Sequence, residues 1–285
     1  MTALMDIVDS AAVALLRARG ARSAFLDGDG SPVHVLRAAG RGHAPPVLLL
    51  HGLGSQASDY IGVIAGLLPH VSEVLALDLP GHGLSPAPPE GMCPSAMRRV
   101  TLAAADQLLE RPVVVFGNSL GGLTAVRLAL LRPDRVLGLM LASPAGAPMS
   151  DEEFSNLLAG FEYPDHDAAL RFVDRFTRAS PVVRHPFAWG VRQRMSRAAV
   201  RELLGRIGTG DLLAAAELAS IRVPVHVVWG GLDRVLPAAH ADFFRDSLPP
   251  GAVVEIDERA GHAPYLDDPL GFPRAIARFA ARCAA

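Results

Sequence analysis

Lysine is absent from this chain, so all 27 basic residues are arginine. That absence excludes Schiff-base catalysis, a pyridoxal-phosphate anchor and a P-loop together. Cysteine is nearly absent as well: Cys93 and Cys283 stand too far apart in sequence for metal or redox spacing. The formal net charge is only −2, which gives no electrostatic footprint for nucleic acid or an anionic membrane. No run approaches the roughly 18 apolar residues of a membrane span. The first twenty residues place Asp6 and Asp9 inside an apolar pattern and Arg17 and Arg19 after it, the reverse of a secretory signal. The expected partner is therefore a small molecule, with no nucleic acid and no membrane. The default location is the cytoplasm, and a homodimer is left open.

What the chain does contain is ordinary for a globular enzyme: 50% hydrophobic and 20% charged residues in 285 positions. That length can bury one large core carrying an inserted subdomain. Leu4, Ile7, Val8, Ala11, Ala12, Leu15 and Leu16 recur at helical spacing, which predicts an amphipathic helix within residues 1–22. After the turn DGDGSP, seven segments read as strands: VHVLRAAG, PPVLLLHG, EVLALDLPGHG, RPVVVFGNS, RVLGLMLASP, VPVHVVWGG and AVVEIDERAGH. Most are runs of Val and Leu without polar alternation, as in parallel strands buried on both faces. Helical patterns separate them near 58–68, 95–110, 120–132, 238–247 and 269–282. Alternation of this kind predicts an α/β fold, a doubly wound, mostly parallel sheet over residues 23–145 and 223–285. Residues 146–222 break the rhythm with helical stretches only, near 150–160, 166–179, 187–195, 197–207 and 210–219. They read as an all-helical cap.

The sharpest local signal is Gly117-Asn118-Ser119-Leu120-Gly121, which follows the apolar run Val113 to Phe116 and opens the helical pattern LTAVRLALL. A serine on so tight a strand-to-helix turn is lifted above the sheet, and the flanking glycines avoid collision across the turn. Such a hydroxyl needs a base and a third group to orient that base. Asp233, in the loop GGLDRVLP, and His262, in AGHAPYLDDP, each follow a later strand and supply both. The rival use of Asp233, capping the helix from Pro237, is the lesser reading, while Asp257, Asp267 and Asp268 stand too near His262 to occupy a separate loop. His51 and His82 read as structural histidines of Gly-rich turns, and none of the histidines has metal-ligand spacing. Two backbone N–H groups are needed for an oxyanion. Leu120 opens a helix, and Leu53, with Gly54 as the alternative, lies in the first Gly-rich turn. In the cap, aromatic residues interleave with arginines, and the candidates for substrate contact are Trp189 and Arg192 there, with Asn118 beside the serine.

The His-Gly turn (His51, Gly52), the DLPGHGLS loop (Asp78 to Ser85), GNSLGG, the acid loop and the Gly-His ending together resemble the α/β-hydrolase superfamily. The resemblance implies a capped α/β-hydrolase fold, the triad Ser119, Asp233, His262, no cofactor and no metal, and an acyl-enzyme route on a small to medium carboxylic ester; the aromatic residues of the cap add the expectation of an apolar or aromatic acyl group. Asn118 before the serine resembles the meta-cleavage-product hydrolases, which split carbon–carbon bonds. Those enzymes usually place Trp after the histidine, whereas Ala263, Pro264 and Tyr265 follow here, a pattern more like esterases of small methyl or acyl esters. Carbon–carbon hydrolysis is thus the second reading, and a receptor without turnover the third.

Overall fold

The computed structural model describes residues 11, 13–18, 20–178 and 181–284. The expected amphipathic helix falls partly outside them. Residues 11 and 13–18 are helical, and Val13 and Leu16 are buried with Val63, Ile64 and Phe272; residues 1–10, 12 and 19 of that expectation lie outside the described residues, and 20–22 turn into β1 instead of continuing the helix.

Eight strands form one sheet: β1 (Arg22–Asp27), β2 (Pro32–Ala39), β3 (Val47–Leu50), β4 (Glu73–Leu77), β5 (Val113–Asn118), β6 (Val136–Ala142), β7 (Val225–Gly230) and β8 (Val253–Asp257), in the order β1-β2-β4-β3-β5-β6-β7-β8. β2 runs antiparallel to β1 and β4, and all other neighbours are parallel. The unbroken apolar runs are explained by a core on each face. Leu48, Leu50, Val113, Val115, Leu139 and Leu141 point to one layer, and their alternate neighbours Val47, Leu49, Val114, Phe116, Met140 and Ala142 to the other.

Covering these faces are α1 (Ile61–Leu67), α2 (Pro94–Leu108), α3 (Leu120–Leu131), and, later in the chain, helices at Ala239–Ser247 and Gly271–Arg282. Between β6 and β7 the described residues hold no strand. They contain α4 (Asp151–Ala159), α5 (His166–Phe176), α6 (Pro181–Met195), α7 (Ala198–Arg206) and α8 (Ala215–Ala219). Ser150 and Glu153 close a reciprocal box at the start of α4, and Asp165 caps α5 through the Ala168 N–H, so each entry is set by local sequence. α6 begins six residues earlier than the expected 187, because the helix runs through Pro186. The expected helix at 210–219 is a 3-10 turn, Thr209–Asp211, followed by the short α8. A strand the pattern did not predict, β1, precedes the DGDGSP turn.

Candidate active site

The loops after β3, β4, β5, β7 and β8 converge at the carboxyl edge of the sheet, where open α/β sheets gather their reacting groups. Ser119 joins β5 to α3 with φ 54° and ψ −120°, a region that only strong surrounding constraints hold for a residue with a Cβ. Those constraints are visible. Its N–H donates to the Ala142 carbonyl at 3.2 Å, and its own carbonyl accepts from Gly122, Leu123 and Ala145. A Cβ on Gly117 would strike the Gly121 backbone, and one on Gly121 the Leu50 carbonyl, so both glycines are steric requirements of the turn.

His262 and Asp233 meet as a pair, with Nδ1 2.7 Å from Oδ2 and both side chains almost wholly buried. The other carboxylate oxygen accepts from the Val235 and Leu236 N–H groups, at 2.8 and 3.1 Å. Asp233 therefore does both things its position allows: it ties its own turn and it holds the imidazole. Burial works to raise its carboxyl, but the His262 charge and hydrogen bond, aided by the two N–H groups, hold it below the ordinary value. The histidine backbone is fixed from two sides. Its N–H donates to the Phe176 carbonyl at the end of α5, 2.8 Å, and its carbonyl accepts from Asn118 Nδ2, 2.9 Å. Pairing through Nδ1 leaves Nε2 as the ring nitrogen not committed to Asp233.

Asn118 is 1% exposed, and its amide donates to the Ala142 carbonyl as well, while Tyr265 approaches its oxygen at 3.5 Å. It was expected to contact substrate. Its amide instead stitches the elbow to β6 and to the histidine loop, because both of its donors are used by main-chain carbonyls.

The turn after β3 lies against the elbow, where a Cβ on Gly52 would stand in ordinary contact with Ser119 at 3.4 Å. At the first position of α3 the Leu120 N–H has no intrahelical acceptor, and among the described residues no hydrogen bond takes it or that of Leu53 or Gly54. Sequence reasoning missed what holds this turn. Asp78, at the end of β4, accepts the Ala57 N–H on Oδ1 at 2.6 Å, and the Leu84 N–H and His34 Nδ1 on Oδ2 at 2.9 and 2.7 Å. The DLPGHG motif was the signal available for it. From above, Arg194 of α6 pairs with Asp59 at 2.6 Å, which also accepts from Ser55 Oγ, and Met195 packs where a Cβ on Gly54 would go.

The sequence model described as the alpha/beta hydrolase family matches residues 47–275. The chain belongs to that family. Among relatives of this alpha/beta hydrolase, the dihydrolipoyllysine-residue acetyltransferase component of the acetoin cleaving system of Cupriavidus necator is 32% identical over 85% of this chain; the chain spans 65% of that protein, less than two thirds of its length. A pimeloyl-[acyl-carrier protein] methyl ester esterase of Aeromonas hydrophila is 29% identical over 84% of this chain and 96% of its own. The solved meta-cleavage product hydrolase of Pseudomonas fluorescens superposes with a TM-score of 0.77, covering 90% of this chain and 96% of the other at 20% identity, which is a likeness of fold. This alpha/beta hydrolase thus has esterases among its relatives.

Above Ser119 the hydrolase encloses a cavity of about 70 Å³. Leu53 and Leu120 line it, Gly54 does not, and the cap contributes Phe154, Leu157, Phe161, Leu203 and Ile207. Among the described residues that line it, Ser119 alone carries a hydroxyl. Trp189 and Arg192 are not brought to it. Arg192 donates to the carbonyls of Tyr163 and Pro164 at 3.3 and 2.9 Å, so its guanidinium braces the link between α4 and α5 from a separate cavity, and Trp189 stays half-buried on α6. Most cap aromatics pack on one another, as Tyr163 and Phe176 each do with Phe172 at 5.2 and 5.4 Å. No helix among the described residues is long and apolar enough to cross a membrane.

Proposed function

We propose that this chain is a serine hydrolase that cleaves a small to medium carboxylic ester through an acyl-enzyme at Ser119. The observation that carries the reading is the buried Asp233–His262 pair, held by Asn118 beside a serine in a strained turn that opens into an apolar cavity. His262 Nε2 takes the proton from the Ser119 hydroxyl as its oxygen attacks the ester carbonyl, and returns it to the departing alkoxide. Asp233 keeps Nδ1 protonated, fixing the tautomer and stabilising the imidazolium. The N–H groups of Leu120 and Leu53 stabilise the oxyanion, with the α3 dipole behind the first. Water, activated by the same histidine, then releases the acid.

The esterase relatives support this class, and the apolar lining favours an uncharged acyl group. The carbon–carbon alternative leaned on Asn118, whose amide is occupied by backbone carbonyls, so nothing at the site favours it. A fluorophosphonate probe tests the reading directly. It should label Ser119, and Ser119→Ala should lose both labelling and hydrolysis of p-nitrophenyl esters by at least roughly ten-thousand-fold while melting as the parent does. Ester hydrolysis surviving in that variant would overturn the scheme. An unlabelled parent protein would favour a receptor.

A further inference from the structure

A second cavity, of about 40 Å³, opens between α2 and α3. It shares Leu120, Leu123 and Ile207 with the cavity above Ser119, so the two adjoin across these residues. Its walls include Met97, Thr101 and Leu102 of α2 and Thr124 and Leu128 of α3. A helix rises about 1.5 Å per residue, which sets Leu128 roughly 13 Å along α3 from Ser119. Arg98 stands exposed at the rim of this cavity, and the other polar groups are accounted for with one exception. Thr124 Oγ1 donates to the Leu120 carbonyl at 2.8 Å, and Arg127 is engaged by Glu217 and by the carbonyls of Asp211 and Leu212. Thr101 is 2% exposed, and its hydroxyl has no hydrogen-bond partner among the described residues. A buried hydroxyl left unmatched at a cavity wall is a place where a bound molecule can supply the missing partner.

We propose that the two cavities form one binding site for a linear acyl chain. The chain, held as its ester at Ser119, passes between Leu123 and Ile207 and ends beside Thr101 with a hydrogen-bonding group, such as a hydroxyl or carbonyl. Leucine and isoleucine at the passage match methylenes and offer nothing to a charge, and a ring or branch would need both side chains to move apart. This rests on the ester-hydrolase reading, of which it names the acyl class.

The test compares p-nitrophenyl acetate, octanoate and ω-hydroxyoctanoate on the full chain, together with calorimetric binding of ω-hydroxyoctanoate. Leu102→Trp fills the second cavity from its half-buried rim, and Thr101→Val removes the hydroxyl at nearly constant volume. The parent should prefer octanoate to acetate by about tenfold or more in kcat/KM, and ω-hydroxyoctanoate further. Leu102→Trp should bring the octanoate-to-acetate ratio down about tenfold, and Thr101→Val should erase only the ω-hydroxyl preference. Ratios that are the same in parent and variants, all with parental melting curves, would overturn the proposal and leave the hydrolase reading intact. If no ester is turned over but ω-hydroxyoctanoate binds and Leu102→Trp abolishes binding, the hydrolase reading falls and the site stands. Neither turnover nor binding would remove both.

Discussion

Ser119 sits at a positive φ because every neighbouring group leaves it no other place, and the cost of that conformation is borne by contacts that single substitutions can remove. Gly121→Ala would drive a methyl group into the Leu50 carbonyl; the expected outcome is failure to accumulate as folded protein, read by circular dichroism of the purified soluble fraction. Asn118→Ala leaves two buried carbonyls, those of Ala142 and His262, without that donor. It should destabilise the fold by about 1–3 kcal/mol in urea unfolding and lower kcat by about tenfold or more as the histidine loop loosens, a joint loss that a purely packing role would not produce. The meeting of Asp233 with His262 was legible because each occupies a loop whose type and chain order are written in short motifs, as the Ser119 turn is. Asn118, Trp189 and Arg192 were not. Which way a side chain points depends on the docking of elements far apart in the chain, and the carbonyls that claim Asn118 and Arg192 come from such neighbours.

Among elements, α6 has the most unexpected reach. Its last turn places Arg194 on Asp59 and Met195 against Gly54, both close in sequence to Leu53, the proposed second oxyanion donor. Asp59→Ala should therefore lower kcat for a short ester by about tenfold with KM nearly unchanged, since a donor shifted by a fraction of an ångström is felt in the transition state more than in binding. Steady-state kinetics on p-nitrophenyl acetate, with a melting curve to exclude global unfolding, would check it. Element order and the cap insertion were readable from apolar runs and helical spacing. Two features of the sheet were not. β1 is an edge strand whose residues are mostly exposed, so RSAFLD carries no apolar run to mark it. The reversed direction of β2 is equally silent, because the middle of PVHVLRAA is buried as the parallel strands are and periodicity carries no information about direction.

For the whole molecule, the buried polar centre beneath the site predicts how stability follows pH. His82 is fully enclosed, and burial, with the nearby His51 charge, lowers it from the ordinary histidine value to about 3; burial lowers His51 too. Between about pH 6.5 and 3 the unfolded chain takes up protons that the folded one refuses, so stability falls as the solution is acidified through that window. Asp78 and Asp233, held low despite burial by His34, His51, His262 and backbone N–H groups, contribute stability above the ordinary carboxylate value that is lost as pH falls through their depressed ones. Urea midpoints measured from pH 7 to pH 4 should therefore decline, and His82→Asn should flatten the slope. The bond from the His262 N–H to the Phe176 carbonyl has a separate bearing on any attempt to redesign this molecule. Because His262 hangs partly from the helical insertion, swapping that insertion for a foreign one to change substrate range would also re-aim the imidazole. A chimera would inherit its partner's selectivity only if the grafted piece offered an acceptor at the same point in space.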